Sequence, residues 1–330
     1  MSARAPMAGG EFELIDRYFR ALGAPRGDVV LGVGDDGAIL RSPPDHDLVA
    51  VSDTLVEQVH FPAGSPPQSI GHRALAVNLS DVAAMGAVPA WALLSLTLPH
   101  RDDRWLGEFA HGFANLALQH SVALVGGDTT RGPLSISVQV LGFLPRGSGL
   151  RRSGGRPGDR IFVSGTPGDA AAGLAVLRGE PFAGPAADDA EARDFLQARF
   201  EYPTPRLALG AALRDIASAC IDVSDGLAGD IGKLAAASAC GARIDLERLR
   251  PSPALARAAS PERAREWLLA GGDDYELVFT VPAARLSRLE NLARTFEWQE
   301  IGELTAGAGV TLCEQGRPID LPAASFDHFG

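Results

Sequence analysis

Two kinds of apolar periodicity alternate along this chain. Short runs that are continuously apolar, or that alternate apolar with polar residues, predict strands over 29–33, 48–52, 91–98, 135–143, 160–164, 220–223 and 277–281. Between them, apolar residues recur at helical spacing over 12–22, 70–85, 105–120, 170–177, 205–219 and 227–239. Residues 82–99 carry no charge over a length near that of a membrane span. Gly86 and Pro89 interrupt that stretch, which reads as a buried helix running into a buried strand. Residues 179–199, rich in Ala and Asp, read as a surface excursion without chemistry. The mixture of periods predicts an α+β protein.

At 330 residues the chain exceeds what one hydrophobic core usually organises, and two α/β domains are expected. The Gly-, Pro- and Arg-rich stretch 145–159 (PRGSGLRRSGGRPGD) marks the junction, dividing the chain into domains 1–150 and 151–330. A hydrophobic content of 46% is enough to fill both cores. The formal charge of −11 argues against nucleic acid or an anionic membrane as the main partner. Cys220, Cys240 and Cys313 form an odd set without a CxxC, neither a disulfide framework nor a zinc site, and a reducing cytoplasm is expected. The first residues lack a long apolar core, so no secretory signal is expected.

Six apolar runs end on aspartate: LGVGDD (31–36), VAVSDT (49–54), AVNLSD (76–81), LVGGDT (124–129), IDVSDG (221–226) and LAGGDDYE (269–276). Any one aspartate in such a place is at least as readily a turn former or helix N-cap as a ligand. The set is harder to explain that way, because glycine repeatedly precedes the aspartate and a cap needs no glycine. Gly32, Gly34, Gly126, Gly127, Gly271 and Gly272 suggest close approach of a ligand to the backbone. Converging carboxylates require cations, and hard oxygen donors select Mg²⁺ or Ca²⁺ over zinc. The expected ligand is a metal-bound polyphosphate.

Lys233 is the only lysine, and no G-x-x-x-x-G-K-[ST] loop exists, so a Walker-type site is excluded. No H-R-D with D-F-G points to a protein kinase, and neither G-x-S-x-G nor H-E-x-x-H occurs. Phosphates must then be held by metal ions, loop N–H groups and arginines, with Arg131 and Arg152 the leading cations. Seven histidines are scattered singly, and His60 stands out only by its neighbours, a pattern more often structural than catalytic.

Across nearly its whole length the sequence resembles the thiamine-monophosphate kinases, in the superfamily that also holds aminoimidazole ribonucleotide synthetase, selenophosphate synthetase and a hydrogenase maturation factor. The words that carry the resemblance are GEFELIDRYF, GVGDDGAIL, SDTLVEQVHF, ALAVNLSDVAAMGAVPAW, LVGGDTTRGPL, RSGGRPGD, SGTPGDAAAGL, IDVSDGL, GGDDYELVF and FDHF. The resemblance implies an N-terminal domain whose strands pair with a second subunit into a β-barrel across a homodimer, a larger C-terminal α/β domain, and ATP in the cleft between them. It implies that Asp36, Asp53, Asp81, Asp128, Asp222 and Asp225 hold several Mg²⁺ ions with help from Ser52. Gly127, Asp128, Arg152 and Ser224 would contact ATP, and His60, Asp273 and Phe326 would line the thiamine monophosphate pocket.

Three positions depart from the commoner family pattern. Val51 stands where a hydroxyl residue often precedes Ser52, Asp273 replaces a frequent Glu, and Phe326 a Tyr or Trp. The implied reaction moves the γ-phosphoryl group of ATP directly onto the acceptor phosphate, the last step of thiamine diphosphate biosynthesis, with no membrane or nucleic-acid partner. An aminoimidazole ribonucleotide synthetase is the nearest competing enzyme, opposed by His60 in VEQVHF, the GEFELI opening and the FDHF ending. A metal-dependent phosphohydrolase and a nonenzymatic nucleotide-binding dimer are the readings from other classes.

Overall fold

The computed structural model describes residues 11–319. They form two compact units, residues 11–82 with 88–146 and residues 83–87 with 147–319. In chain order the first unit carries α1 (Glu11–Tyr18), β1 (Val29–Leu31), β2 (Ile39–Leu40), β3 (His46–Val56), α2 (Pro67–Ala84), β4 (Val88–Leu98), α3 (Asp103–Gln119), β5 (Ala123–Arg131) and β6 (Ser135–Pro145). β1 and β2 pair by themselves, while the other strands form a sheet in the order β3-β6-β4-β5. β6 is antiparallel to both of its neighbours, and β5 runs parallel to β4 with α3 as the crossover.

The alternation in SISVQVLG explains the sheet's two faces. Ile136, Val138 and Val140 are fully buried on one face, and Leu75 and Leu79 of α2 and Phe109 and Phe113 of α3 are fully buried too. α3 starts where its N-cap demands, since the Asp102 carboxylate accepts from the Arg104 and Trp105 N–H groups at 2.9 and 3.1 Å. The other face carries exposed Ser52, Thr54, Ser95 and Gln139. As expected, the uncharged stretch 82–99 is a helix end, a turn at Gly86 with φ +69°, and a buried strand. Among the described residues no helix is long and apolar enough to cross a membrane.

The second unit carries β7 (Arg160–Ser164), α4 (Asp169–Leu177), α5 (Ala190–Glu201), α6 (Leu207–Leu213), β8 (Ala219–Asp222), α7 (Leu227–Ala237), β9 (Gly241–Asp245), α8 (Pro253–Ala258), α9 (Pro261–Ala270), β10 (Leu277–Val281), α10 (Leu286–Glu290), β11 (Trp298–Thr305), β12 (Gly309–Glu314) and β13 (Arg317–Ile319). Its sheet runs β13-β12-β9-β11-β7-β10-β8, antiparallel except for the β9–β12 pair. Ile161, Val163, Ile221 and Val278 of this sheet share one core with Leu227, Ile231 and Leu234 of α7. The register sets Asp222 opposite Leu277, which brings the end of β8 and the start of β10 to one end of the sheet.

Two expectations change. Residues 179–199 are not simply a surface excursion, because α5 buries Ala192, Leu196 and Phe200. The expected helix over 205–219 is helical only through Leu213, since Ser218 already donates its N–H to Thr280 O and β8 begins at Ala219. The sheet ladder claims the last residues of that run. The architecture is a two-unit α/β fold in which, among the described residues, neither larger sheet closes on itself.

Candidate active site

In the first unit, the predicted positions sit within strands β3 and β5, near the end of α2, and in loops. Asp36 lies exposed between β1 and β2, with its N–H on Asp35 Oδ1 at 2.9 Å. Asp53 is half-buried on β3, and its N–H donates to Asn78 Oδ1 of α2 at 3.1 Å. Asn78 and Asp81 are spaced i, i+3 on α2 and so share a face, which places the turn carrying Asp81 beside Asp53. His60, just beyond β3, accepts the Val56 N–H at Nδ1 at 3.0 Å, so its Nε2 carries the ring proton of the neutral form.

The sheet register separates the remaining carboxylate. Asp53 stands opposite Val138, Val138 opposite Leu94, and Leu94 opposite Gly127. Asp128 belongs to the next row, with Ser95, Ser137 and Thr54. Asp53 and Asp128 are therefore on opposite faces and about 14 Å apart, three strand spacings. Ser52 and Asp53 also project to opposite faces, because side chains alternate along a strand. Arg131, at the end of β5, donates Nε to Pro99 O at 3.2 Å.

In the second unit, Asp222 ends β8 at 5% exposure, and Ser224 and Asp225 follow in a half-buried loop. Both their N–H groups donate to one buried oxygen, Asp230 Oδ2, at 3.0 Å each. Lys233 bridges Asp225 and Asp230 through Nζ, so the one ammonium in the chain already sits on a predicted metal ligand. Burial raises the Asp230 pKa against the pull of Lys233. The Arg152 side chain is exposed, while its carbonyl accepts from Ser238 Oγ at 3.0 Å. Phe326 lies outside the described residues.

Residues 273–276 lie against this loop. Asp273 N–H donates to Ser224 O at 2.9 Å and Tyr275 N–H to Val223 O at 2.8 Å. Asp273 and Tyr275 both have left-handed backbone, φ +69° and +52°. Such conformations cost on the order of 1–3 kcal/mol each and persist only where surrounding contacts over-determine them. Tyr275 OH donates to Asp273 Oδ1 at 3.1 Å.

Of the six glycines that precede the aspartates, Gly127, Gly271 and Gly272 lie against the protein's own backbone, whereas Gly32, Gly34 and Gly126 face side chains. A Cβ on Gly127, whose φ is +149°, would lie 1.8 Å from Leu94 O, and one on Gly272 would lie 2.5 Å from Ser224 O. At these positions the close neighbour is the protein's own backbone. Within the units the aspartate words meet in pairs, VAVSDT with AVNLSD through Asp53 and Asn78, and IDVSDG with GGDDYE through Ser224 and Asp273. Among the described residues no three acidic, histidine or cysteine side chains are grouped so as to hold a metal ion.

Sequence reasoning missed a buried ionic cluster behind the 273–276 segment. Glu276, fully buried, accepts from Arg199 Nη2 at 2.8 Å and from Arg206 through both Nε, at 2.6 Å, and Nη2. Burial would raise the Glu276 pKa, but the Arg206 and Arg199 guanidiniums and the Ser164 hydroxyl outweigh it and hold the carboxyl below its ordinary value. Asp274 accepts the Gly168 and Ala170 N–H groups at the start of α4, at 2.6 and 3.1 Å, and burial pushes its pKa well up. GGDDYE was a visible word, but its arginine partners stand 70 and 77 residues away.

Comparison with known proteins bears on what this arrangement does. The family model described as AIR synthase related protein, N-terminal domain, matches residues 34–144, and its C-terminal counterpart matches residues 156–313. The chain is 47% identical over 328 residues to thiamine-monophosphate kinase of Escherichia coli (strain K12), covering 98% of this chain and 99% of that one. Among solved structures it is similar to thiamine-monophosphate kinase from Stenotrophomonas maltophilia K279a, with TM-score 0.81, 45% identity, and 87% and 92% of the two chains covered. It is also similar to AaThiL complexed with AMPPCP and TMP, with TM-score 0.75, 32% identity, and 90% and 92% covered.

Proposed function

We propose that this chain, which belongs to the thiamine-monophosphate kinase family, transfers the γ-phosphoryl group of ATP to the phosphate of thiamine monophosphate, giving thiamine diphosphate and ADP. The observation that carries this reading is the end-to-end identity of 47% to a kinase of that name. The acceptor brings its own nucleophile, since a phosphate monoester with a second pKa of about 6 is largely a dianion at neutral pH. No general base is required, and no phosphoenzyme is formed. The protein's task is to bind, orient and screen two anions that repel each other.

In this reading Asp36, Asp53, Asp81, Asp128, Asp222 and Asp225 offer carboxylates to Mg²⁺, with Ser52 assisting. The donor chemistry fits, because these are hard oxygen ligands and Asp225 already attracts the Lys233 ammonium. Bound there, Mg²⁺ supplies charge neutralisation and a template for in-line geometry. Gly127, Asp128, Arg152 and Ser224 contact ATP. His60, Asp273 and Phe326 contact thiamine monophosphate, the carboxylate and the ring suiting a cationic heteroaromatic group.

The domain roles follow the same reading. Residues 1–150 serve dimerisation and the metal and ATP contacts, and residues 151–330 complete the nucleotide and substrate sites. A homodimer, with a β-barrel built from the first-unit strands of both copies, is supported by exposed Val30 (50%), Ile39 (56%), Leu48 (53%) and Val88 (54%), all in that unit. Light scattering should give about twice the 34.5 kDa chain mass, and Leu48→Asp with Val88→Asp should give the single mass. A wild-type single mass would remove the dimer. Three buried free cysteines suit a reducing cytoplasm.

The decisive assay follows thiamine diphosphate formation with ATP and thiamine monophosphate, Mg²⁺ omitted and then restored. Product should appear only with the cation. Formation at full rate in chelator would overturn the metal role, and phosphate release without acceptor would point to a phosphohydrolase instead.

A further inference from the structure

Residues 273–276 combine two buried carboxylate anchors with a half-buried Asp273 and a buried Tyr275. Asp274 and Glu276 are 1% and 0% exposed and send their carboxylates to fixed partners, the α4 N–H groups and the two arginines. Asp273 and Tyr275, between and beside them, carry the left-handed backbone and meet each other through the tyrosine hydroxyl. A bulky residue such as tyrosine at positive φ is an outlier that neighbouring contacts must impose. The anchors provide that imposition: with both even-numbered side chains pinned, the odd-numbered ones have no freedom to turn over.

We infer that Arg206 and Arg199, acting through Glu276, are positioning residues that hold Asp273 in the orientation from which it meets the substrate. The inference rests on the proposed kinase reading for the role of Asp273. Arg206 engages Glu276 with two nitrogens, the fork geometry that fixes a carboxylate's plane as well as its place. Arg199 adds a third donor from the last turn of α5, and Ser164 a fourth from the end of β7. Neither arginine needs to touch substrate. Each acts at one remove, on the backbone of the segment that carries Asp273.

The test uses the full chain with Arg206→Met, Arg199→Met, Arg206→Lys and Asp273→Asn. Hydrogen exchange over 272–277 reads the Asp273 and Tyr275 amides, which are bonded to Ser224 and Val223 carbonyls. Both methionine variants should exchange there about tenfold faster, and KM for thiamine monophosphate should rise about tenfold with kcat little changed, the pattern of a lost binding contact. Arg206→Lys, which keeps the charge without the fork, should fall between wild type and Arg206→Met, and it serves if the methionine variant does not fold.

Unchanged exchange in folded variants would overturn the positioning claim. Faster exchange with an unchanged KM would overturn the link from positioning to substrate. An unchanged KM in Asp273→Asn would overturn the role of Asp273 itself, and does so independently of the exchange result.

Discussion

At the residue scale, Asp225 and Asp230 show how one loop divides chemistry from support. Asp230 is buried and holds the loop by accepting two backbone N–H groups, whereas the Asp225 carboxylate contributes nothing to the loop's backbone bonds and faces Lys233. Asp225→Asn should therefore leave thermal stability nearly unchanged and lower kcat on the order of 100-fold, the scale of losing one preorganised electrostatic contact. Asp230→Ala should strand two N–H groups at a cost of about 1–3 kcal/mol, seen as a lower melting temperature. If both variants lost stability alike, Asp225 would be a structural residue. The sequence displayed Asp225 in the word IDVSDG, but nothing in it distinguished Asp230, five residues on, as the residue that shapes the loop.

At the element scale, legibility followed the regularity of burial. β6 and α3 could be read because one face of each is consistently apolar. β5 was not among the predicted strands, since its second half, GGDTTR, is largely exposed and has no alternation. α5 was hidden for the opposite reason: its buried residues Ala192, Leu196 and Phe200 are sparse among charges, and its low apolar content imitates a surface segment. The packing identifies it as a core helix, with Leu196 fully buried and its neighbour Phe195 45% exposed. Leu196→Ala should cost about 2–5 kcal/mol, while Phe195→Ala should stay within roughly 0.5 kcal/mol, both measured by urea unfolding. Equal small losses would restore the reading of 179–199 as a surface excursion.

For the molecule as a whole, local words and long-range partners divide what the chain reveals from what folding adds. The aspartate words are local, and the register then decides which of them meet, separating Asp53 from Asp128 across the sheet. The ionic cluster is wholly non-local, joining β7, α5, the start of α6 and β10, and it ties global stability to pH. Glu276 has a lowered pKa in the folded state, so its contribution is fully present above its unfolded value of about 4.3 and is lost as pH falls through the folded value. Asp274, Asp169 and Asp230 have raised pKa values from burial, so their contribution is full below about 3.9 and is lost as pH rises through their folded values. The two groups oppose each other, and the fall in unfolding free energy below about pH 4 should be larger where Glu276 is present. Glu276→Gln should lower stability at pH 7, because it removes the carboxylate that both guanidiniums share and leaves Arg199, among the described residues, only Asp169 at 4.0 Å, yet it should flatten the acid limb below about pH 4. Urea midpoints measured from pH 7 to pH 3 decide the matter: parallel curves for the two proteins would mean that the Glu276 carboxylate titrates alike in the folded and unfolded chains, and that the arginines do not hold it as the geometry requires.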